Sequence, residues 1–138
     1  MAQKLMALQM VSIPIKNLEV LIKELAIEMR KKKIMEPSTG YTSENLRHYF
    51  VKDNVFPPET YFYRNWFSTE KPRVTLTYMW PATPVETFVE LLRQRFDDDD
   101  TVYIDILLND QRSPVSIQVS LSNADLRFTA LFIDGLAT

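Results

Sequence analysis

The chain has 138 residues, of which 46% are hydrophobic, and a formal net charge of −2 with a sequence pI near 5.4. This length fits one domain with a hydrophobic core, and the charge gives no electrostatic basis for general nucleic-acid binding. The lack of cysteine excludes disulfides and thiol nucleophiles, and a single histidine argues against a histidine-based zinc site. The two glycines are too few for a P-loop or a glycine-rich dinucleotide loop.

The N-terminal part of the chain is predicted to be mainly helical. Residues 1–15 fit either a short helix, which Pro14 would end, or an extended arm. Apolar residues recur at three- and four-residue spacing over residues 18–33, which predicts a helix with Asn17 as its N-cap. The cations at positions 30–33 suit the end of that helix, where the helix dipole favours them. We expect a solvated helix end there rather than a contact with phosphate or acidic lipid.

The chain shows no sign of membrane insertion or export at the level of sequence. No run approaches the ~20 apolar residues that a membrane-spanning helix requires. Residues 1–15 are interrupted by polar residues and lack the small-residue cleavage pattern of a signal peptide. We therefore expect a cytoplasmic protein without a membrane span.

A shorter helix and an aromatic segment are predicted next. Thr42 or Ser43 is a suitable N-cap for a helix that carries Leu46 and Phe50 on one face. Two consecutive prolines then interrupt the helical pattern, and residues 59–67 hold five aromatic side chains. That segment fits either a helix or an irregular packed stretch, and its aromatic residues are expected in a core or an interface rather than stacked on bases.

From residue 73 the pattern alternates between strands and helices. Strands are predicted at 73–79, 101–108 and 127–133, with helices that begin near Pro84 and Pro114. The second strand is almost continuously apolar, which is typical of a strand buried on both faces in a parallel sheet. The order β-α-β-α-β predicts an α/β fold with a small, mostly parallel sheet in a three-layer sandwich.

The two parts of the chain are expected to form one structural domain. Residues 73–138 would provide the sheet, and residues 1–72 would pack on it as a helical region. A three-stranded parallel sheet leaves one edge and part of a face uncovered. Either the N-terminal helices cover that surface or another chain does, and the second case predicts a homodimer or an obligate partner.

Polar and aromatic side chains follow the first two predicted strands. Tyr78 and Trp80 lie at the end of the first strand, and the second is followed by Asn109, Asp110, Gln111 and Arg112. Because ligands bind beyond the carboxyl ends of the strands in open α/β sheets, these groups can form a site. A planar ligand would stack on Trp80 while Asp110 or Arg112 holds its polar groups. The alternative is structural, with Trp80 packed at the sheet edge and with Asn109 and Asp110 forming a turn.

Carboxylates raise the question of a metal site. Asp105 lies inside the second predicted strand, where an unpaired charge is costly. It fits a ligand or metal contact, with Asp110 as a second carboxylate, and it fits equally a structural hydrogen bond. The acidic run at 97–100 lacks the spacing of a calcium loop, so we expect it to be solvated and predict no metal site.

The first two predicted strands resemble the opening of Toll/interleukin receptor (TIR) domains. They are most similar to the heterokaryon-incompatibility-like branch, in which a first strand ends in a serine–histidine–x–tryptophan-like motif. Here Trp80 matches the tryptophan, while Thr77 and Tyr78 stand where that branch often has serine and histidine. The resemblance covers about residues 73–134.

The second strand of that branch reads tyrosine or tryptophan, any residue, and aspartate, followed by aspartate or asparagine and glutamine. The sequence is similar at Tyr103 and Asp105, and again at Asp110 and Gln111. The resemblance implies that the loop at 109–113 serves self-association and covers nucleotide, with Trp80 and Asp105 near the same pocket.

The resemblance also implies a function. It favours a TIR-like protein-interaction module in defence or signalling that acts by self-association or partner binding. TIR-like NAD hydrolases carry a catalytic glutamate on the helix after the third strand, a position that falls beyond Thr138. We therefore expect a shortened domain in which binding is favoured over catalysis, with no assigned catalytic residue and no required cofactor. The alternative is an NAD-type nucleotide-binding or hydrolysing enzyme with its site at the strand ends.

Overall fold

The computed structural model describes residues 9–78, 84–113 and 129–131, using the backbone alone for 76–78 and 129–131. Over these ranges the chain has an α/β fold in which helices accompany one small mixed sheet. The strands are β1 (Ile13–Pro14), β2 (Val74–Tyr78), β3 (Thr101–Ile104) and β4 (Thr129–Leu131). The helices are α1 (Ile15–Lys31), α2 (Ser43–Lys52), α3 (Val85–Arg95) and the single turn α4 (Asp105–Leu108). None of these helices is long and apolar enough to cross a membrane.

The sheet has the strand order β1-β3-β2-β4. Its three longer strands are parallel, since β2 pairs in parallel with both β3 and β4. The short β1, which the sequence did not predict, pairs antiparallel with β3, so that Ile13 lies opposite Val102. The N-terminal segment therefore covers the edge of β3. The helix predicted from Pro114 lies outside the described residues.

The helix α1 begins earlier than the sequence predicted. Asn17 was expected to cap it, but α1 starts at Ile15 directly after β1, and the Asn17 side chain instead donates to the Trp66 carbonyl at 3.1 Å. The first amides of the helix, those of Ile15 and Lys16, donate to carbonyls of the 97–100 loop, each at 3.0 Å. Backbone groups of another segment thus satisfy donors that a helix start leaves open.

The 97–100 loop is mostly solvated, as the sequence predicted, yet it has a structural function. Its carbonyls at Asp98 and Asp100 accept the amides that begin α1. Lys16 also bridges Asp99 at 2.8 Å, but both side chains are largely exposed, so this ion pair adds little stability. The backbone contacts, rather than the surface charges, attach the helix start to the sheet.

The helix α2 begins as predicted and the aromatic segment takes the irregular alternative. Thr42 caps α2 by a reciprocal pair of bonds with Asn45, whose Oδ1 accepts from the Thr42 amide at 2.8 Å. Short 3-10 turns at Pro57–Glu59 and Arg64–Trp66 follow. The rings of Phe62 and Trp66 meet edge to face at 5.7 Å between their centroids.

The strand predicted at 101–108 is wrong beyond Ile104. The strand β3 is buried throughout, but the backbone turns helical at Asp105 and remains so to Leu108. An apolar run of eight residues fits a buried strand and a buried helical turn equally well, so periodicity cannot separate them. Leu107 and Leu108 are buried in the helical turn, so apolar side chains suit both positions although they are not in a strand. Asp105 therefore starts α4 and is not part of the strand.

One hydrophobic core joins the N-terminal helices to the sheet. The apolar face predicted for α1 is buried, with Leu21 and Leu25 fully inaccessible to solvent. The helix α3 buries Phe88 and Leu92, and the sheet buries Ile13 and Val102 in the same cluster.

The β1 segment is expected to be integral to this core. Replacing the fully buried Ile13 by alanine should lower the free energy of unfolding by about 3 kcal/mol, because the lost contacts leave a cavity between the sheet and α1. Replacing Val20, which is 43% exposed on α1, by alanine is the control and should cost less than about 0.5 kcal/mol. Urea unfolding measures both values. Equal small losses would show that β1 is only loosely attached.

Candidate functional site

The parallel register brings the ends of β2 and β3 to the same edge of the sheet. Leu76 lies opposite Ile104, the last residue of β3. Asp105, which comes next after β3, therefore lies at the same edge of the sheet as Tyr78, the last residue of β2. Tyr78 is the last residue of β2, and its register partner is Leu131 of β4. The predicted stacking residue Trp80 lies outside the described residues. The site therefore rests on the segment that begins at Asp105.

Asp105, Asn109 and Gln111 form one compact hydrogen-bonded cluster. The Asn109 amide nitrogen Nδ2 donates to Asp105 Oδ1 at 3.1 Å, and its backbone amide donates to the Asp105 carbonyl at 3.0 Å. The Gln111 side chain folds back and donates to the carbonyls of Asp105 and Asn109 at 3.1 and 2.8 Å. Asn109 is buried. The three side chains thus close the end of α4 and fix the chain that leaves it.

The Asp105 carboxyl lies in a partly buried setting that disfavours its charge. Burial raises the pKa of Asp105 above its usual value, and the hydrogen bond from the Asn109 side chain offsets part of that rise. A half-buried carboxyl with a raised pKa at the carboxyl edge of a parallel sheet is a candidate for contact with a ligand.

Asp110 and Arg112 form a separate, strongly bonded pair. Arg112 Nε donates to Asp110 Oδ1 at 2.8 Å, and a terminal guanidinium nitrogen donates to Oδ2 at 2.6 Å. The Arg112 backbone amide also donates to Asp110 Oδ1 at 3.0 Å. This hydrogen bonding holds the pKa of the Asp110 carboxyl below its usual value. Such a bidentate arrangement fixes both side chains in one geometry.

Arg112 also attaches this loop to the segment after α2. Its guanidinium donates to Asn54 Oδ1 at 3.0 Å and to Glu59 at 3.4 Å, and it lies over the Phe56 ring at 5.8 Å from the centroid. Local sequence patterns do not indicate these three partners, since more than fifty positions separate them from Arg112. A positive φ of 59° at Asn54 is a local signal of a special turn, but it does not indicate a partner.

Five of the predicted site residues lie in one short segment, where they form two separate hydrogen-bonded groups. Asp105 and Asp110 have different partners, an amide in one case and a guanidinium in the other, so the hydrogen bonds do not pair them as ligands for one ion. Within the described ranges no group of three or more acidic, histidine or cysteine side chains is arranged to hold a metal. A cavity of about 220 Å³ lies elsewhere, between α1 and α3, where Ile22 and Val89 line it.

Comparisons with protein-family models, curated proteins and solved structures give no match to this chain. The geometry of the residues is therefore the basis for assigning a function.

The raised pKa of Asp105 predicts a pH-dependent effect on stability. The native pKa exceeds the unfolded one, so the ionised carboxyl lowers stability at neutral pH, and stability recovers as the pH falls through the native pKa. Replacing Asp105 by asparagine should therefore raise the free energy of unfolding at pH 7. The gain should shrink as the pH falls and the wild-type carboxyl becomes protonated. Urea unfolding across a pH series measures the difference.

Asp110 is the matched control because its pKa shifts in the opposite direction. Replacing Asp110 by asparagine should lower the free energy of unfolding by about 1 kcal/mol at pH 7, since the bond to Arg112 loses its charge. That loss should disappear as the pH falls through the lowered pKa of Asp110. A loss of stability for both variants at pH 7 would contradict the assignment of Asp105.

Proposed function

We propose that this chain is a cytoplasmic TIR-like interaction module that associates with itself or with a protein partner through the loop at 109–113. The proposal includes a three-layer, flavodoxin-like arrangement of the α/β core and a function in defence or signalling. The motif resemblance at Tyr103, Asp105, Asp110 and Gln111 supports it.

The order of the parallel strands supports the proposed arrangement. The first parallel strand along the chain, β2, lies between the second, β3, and the third, β4. The parallel strands therefore have the spatial order second, first, third. This is the order at the start of flavodoxin-like sheets, in which ligands and partners meet the carboxyl ends of the strands. The candidate loop begins at that edge.

The observation that carries the proposal is the attachment of the loop by Arg112. Four side-chain hydrogen bonds and one aromatic ring hold the Arg112 guanidinium, with partners at Asp110, Asn54, Glu59 and Phe56. A loop that is already ordered loses less conformational entropy when it binds, so more of its contact energy appears as affinity. The exposed parts of Asp110 and Arg112 then offer both charge signs to a partner.

Part of the edge of β3 is already paired. An exposed strand edge is a common route to pairing between chains. Here β1 pairs with Thr101 and Val102, at the amino end of β3. Pairing between chains at these two residues is therefore blocked, and the loop at 109–113, beyond the opposite end of the strand, is the contact surface that we propose.

Self-association is tested by size-exclusion chromatography with light scattering over a concentration series. We expect the mass of the wild-type chain to rise with concentration. Replacing Arg112 by glutamine should weaken association about tenfold, because it removes a charged anchor and releases the loop. Replacing Arg95, an exposed cation at the end of α3, by glutamine is the control and should leave the mass unchanged. A strictly monomeric chain whose behaviour is insensitive to Arg112 would contradict self-association.

A second candidate function is the binding or hydrolysis of an NAD-type nucleotide. The half-buried Asp105, with its raised pKa, lies where open α/β sheets bind ligands, close in register to the end of β2 at Tyr78. In this candidate Asp105 would contact the nucleotide, and the loop at 109–113 would cover it.

Calorimetric titration with NAD and with ATP tests the nucleotide candidate. Binding should give saturable heat, and replacing Asp105 by asparagine should weaken it about tenfold, because a charged hydrogen-bonding group is lost. Replacing Asp99, which is exposed on the 97–100 loop, by asparagine is the control and should leave the affinity unchanged. No heat at millimolar nucleotide would exclude this candidate.

A further inference from the structure

The C-terminal ends of α1 and α2 lie together and carry a cluster of positively charged side chains. Lys32, just after α1, bridges Asp53, just after α2, at 3.5 Å, which joins the two helix ends. We call this surface the basic corner and define it by residues 30–33, Met35, Val51 and Lys52. It holds five cations, whereas the whole chain has a net charge of −2.

Ion pairs use some of these cations and leave others available. Arg30 binds Glu36 through two bonds, at 3.0 and 3.1 Å, and Lys31 meets Glu28 at 3.4 Å. Neither Lys33 nor Lys52 forms an ion pair with any residue in the part of the chain that the structure describes. The corner therefore has a net positive charge, which the negative ends of the two helix dipoles favour.

Lys33 holds an unfavourable backbone conformation. Its φ is 62°, in the left-handed region, and the amides of Lys33 and Ile34 donate to the carbonyls of Arg30 and Met29 to close the helix. Glycine or asparagine normally takes this position, because a larger side chain is strained there. The helix α2 ends in the same way with Asn54, whose φ is 59°. Lys33 thus provides a charge at a position where asparagine would serve the fold better.

Met35 is exposed although its neighbours are fixed. The Tyr41 hydroxyl donates to the Ile34 carbonyl at 2.6 Å, and Arg30 holds Glu36 on the other side. The Met35 side chain is nevertheless 86% exposed, and Val51 on the last turn of α2 is 45% exposed. An ordered segment therefore presents a large apolar side chain two positions after Lys33.

The sequence pattern alone favours a solvated helix end at 30–33, but the exposed Met35 next to this cationic segment changes that interpretation. We propose that the basic corner docks on an anionic membrane surface. Lys33 and Lys52 contact the negatively charged headgroups, and Met35 inserts between the lipids. The positive charge of the corner favours an anionic partner. A membrane also offers an apolar lipid interior beneath its charged headgroups, which suits the exposed Met35 side chain. A nucleic acid offers phosphate but no such phase. Each lysine contributes about a fivefold change in affinity at such a surface, so the docking is weak and reversible.

Vesicle co-sedimentation of the full chain tests the proposal. Binding to phosphatidylcholine vesicles that contain phosphatidylserine should exceed binding to pure phosphatidylcholine, and it should weaken as salt is raised. Replacing Lys33 by asparagine should weaken binding about fivefold. Replacing Met35 by serine should also weaken it about fivefold, because an inserted apolar side chain is lost.

Two controls separate this function from a structural one. Replacing Lys71, an exposed cation before β2, by asparagine removes the same charge elsewhere and should leave vesicle binding unchanged. The Lys33→Asn variant should also raise the melting temperature by about 2 °C, because asparagine tolerates the left-handed conformation. A loss of lipid binding together with a gain in stability cannot result from partial unfolding.

Three outcomes would overturn the proposal. The first is equal binding to neutral and anionic vesicles. The second is an equal effect of Lys33→Asn and Lys71→Asn on binding, which would mean that general charge rather than the corner is responsible. The third is release from vesicles by inorganic phosphate more strongly than by chloride at the same ionic strength, which would indicate a site for single phosphate groups.

Discussion

The whole structure depends on the short pairing of β1 with β3, because it fixes the N-terminal region on the sheet. Ile13 lies opposite Val102, and α1 starts one residue after β1. The amides of Ile15 and Lys16 then donate to carbonyls of the 97–100 loop, the segment that leads into β3. The same segment thus sets both where α1 begins and the direction in which it leaves the sheet. The apolar face of α1 consequently packs against α3 in a single core.

This arrangement determines which surfaces remain for function. The pairing with β1 blocks the edge of β3 at Thr101 and Val102. The proposed association surface is the loop at 109–113, which Arg112 holds against Asn54 and Glu59. The direction of α1 also carries its cationic end to the end of α2, where Lys32 meets Asp53. The proposed association loop and the basic corner are therefore both attached to the segment 53–59 that follows α2.

Local patterns in the sequence predicted the elements whose signals are local. The cap at Thr42, the helix after Pro84 and the buried face of α1 are set by residues within a few positions of one another. The errors have two physical causes. Carbonyls of the distant 97–100 loop replace Asn17 as the cap of α1. The apolar run at 101–108 turns helical at Asp105, because a short apolar run fits a buried strand and a buried helical turn equally well. Likewise, the sequence located Asp110 and Arg112 but not the remote partners that order their loop.

Native-state hydrogen exchange of the Ile15 and Lys16 amides measures how firmly the pairing of β1 with β3 holds the N-terminal region on the sheet. If pairing of β1 with β3 and the contacts to the 97–100 loop hold the domain together, these two amides exchange only on global unfolding. Their protection should then equal that of the amides of β3, although they lie in the N-terminal part of the chain. Exchange of Ile15 and Lys16 that is much faster than exchange in β3 would show that the N-terminal region opens independently, and it would contradict the account.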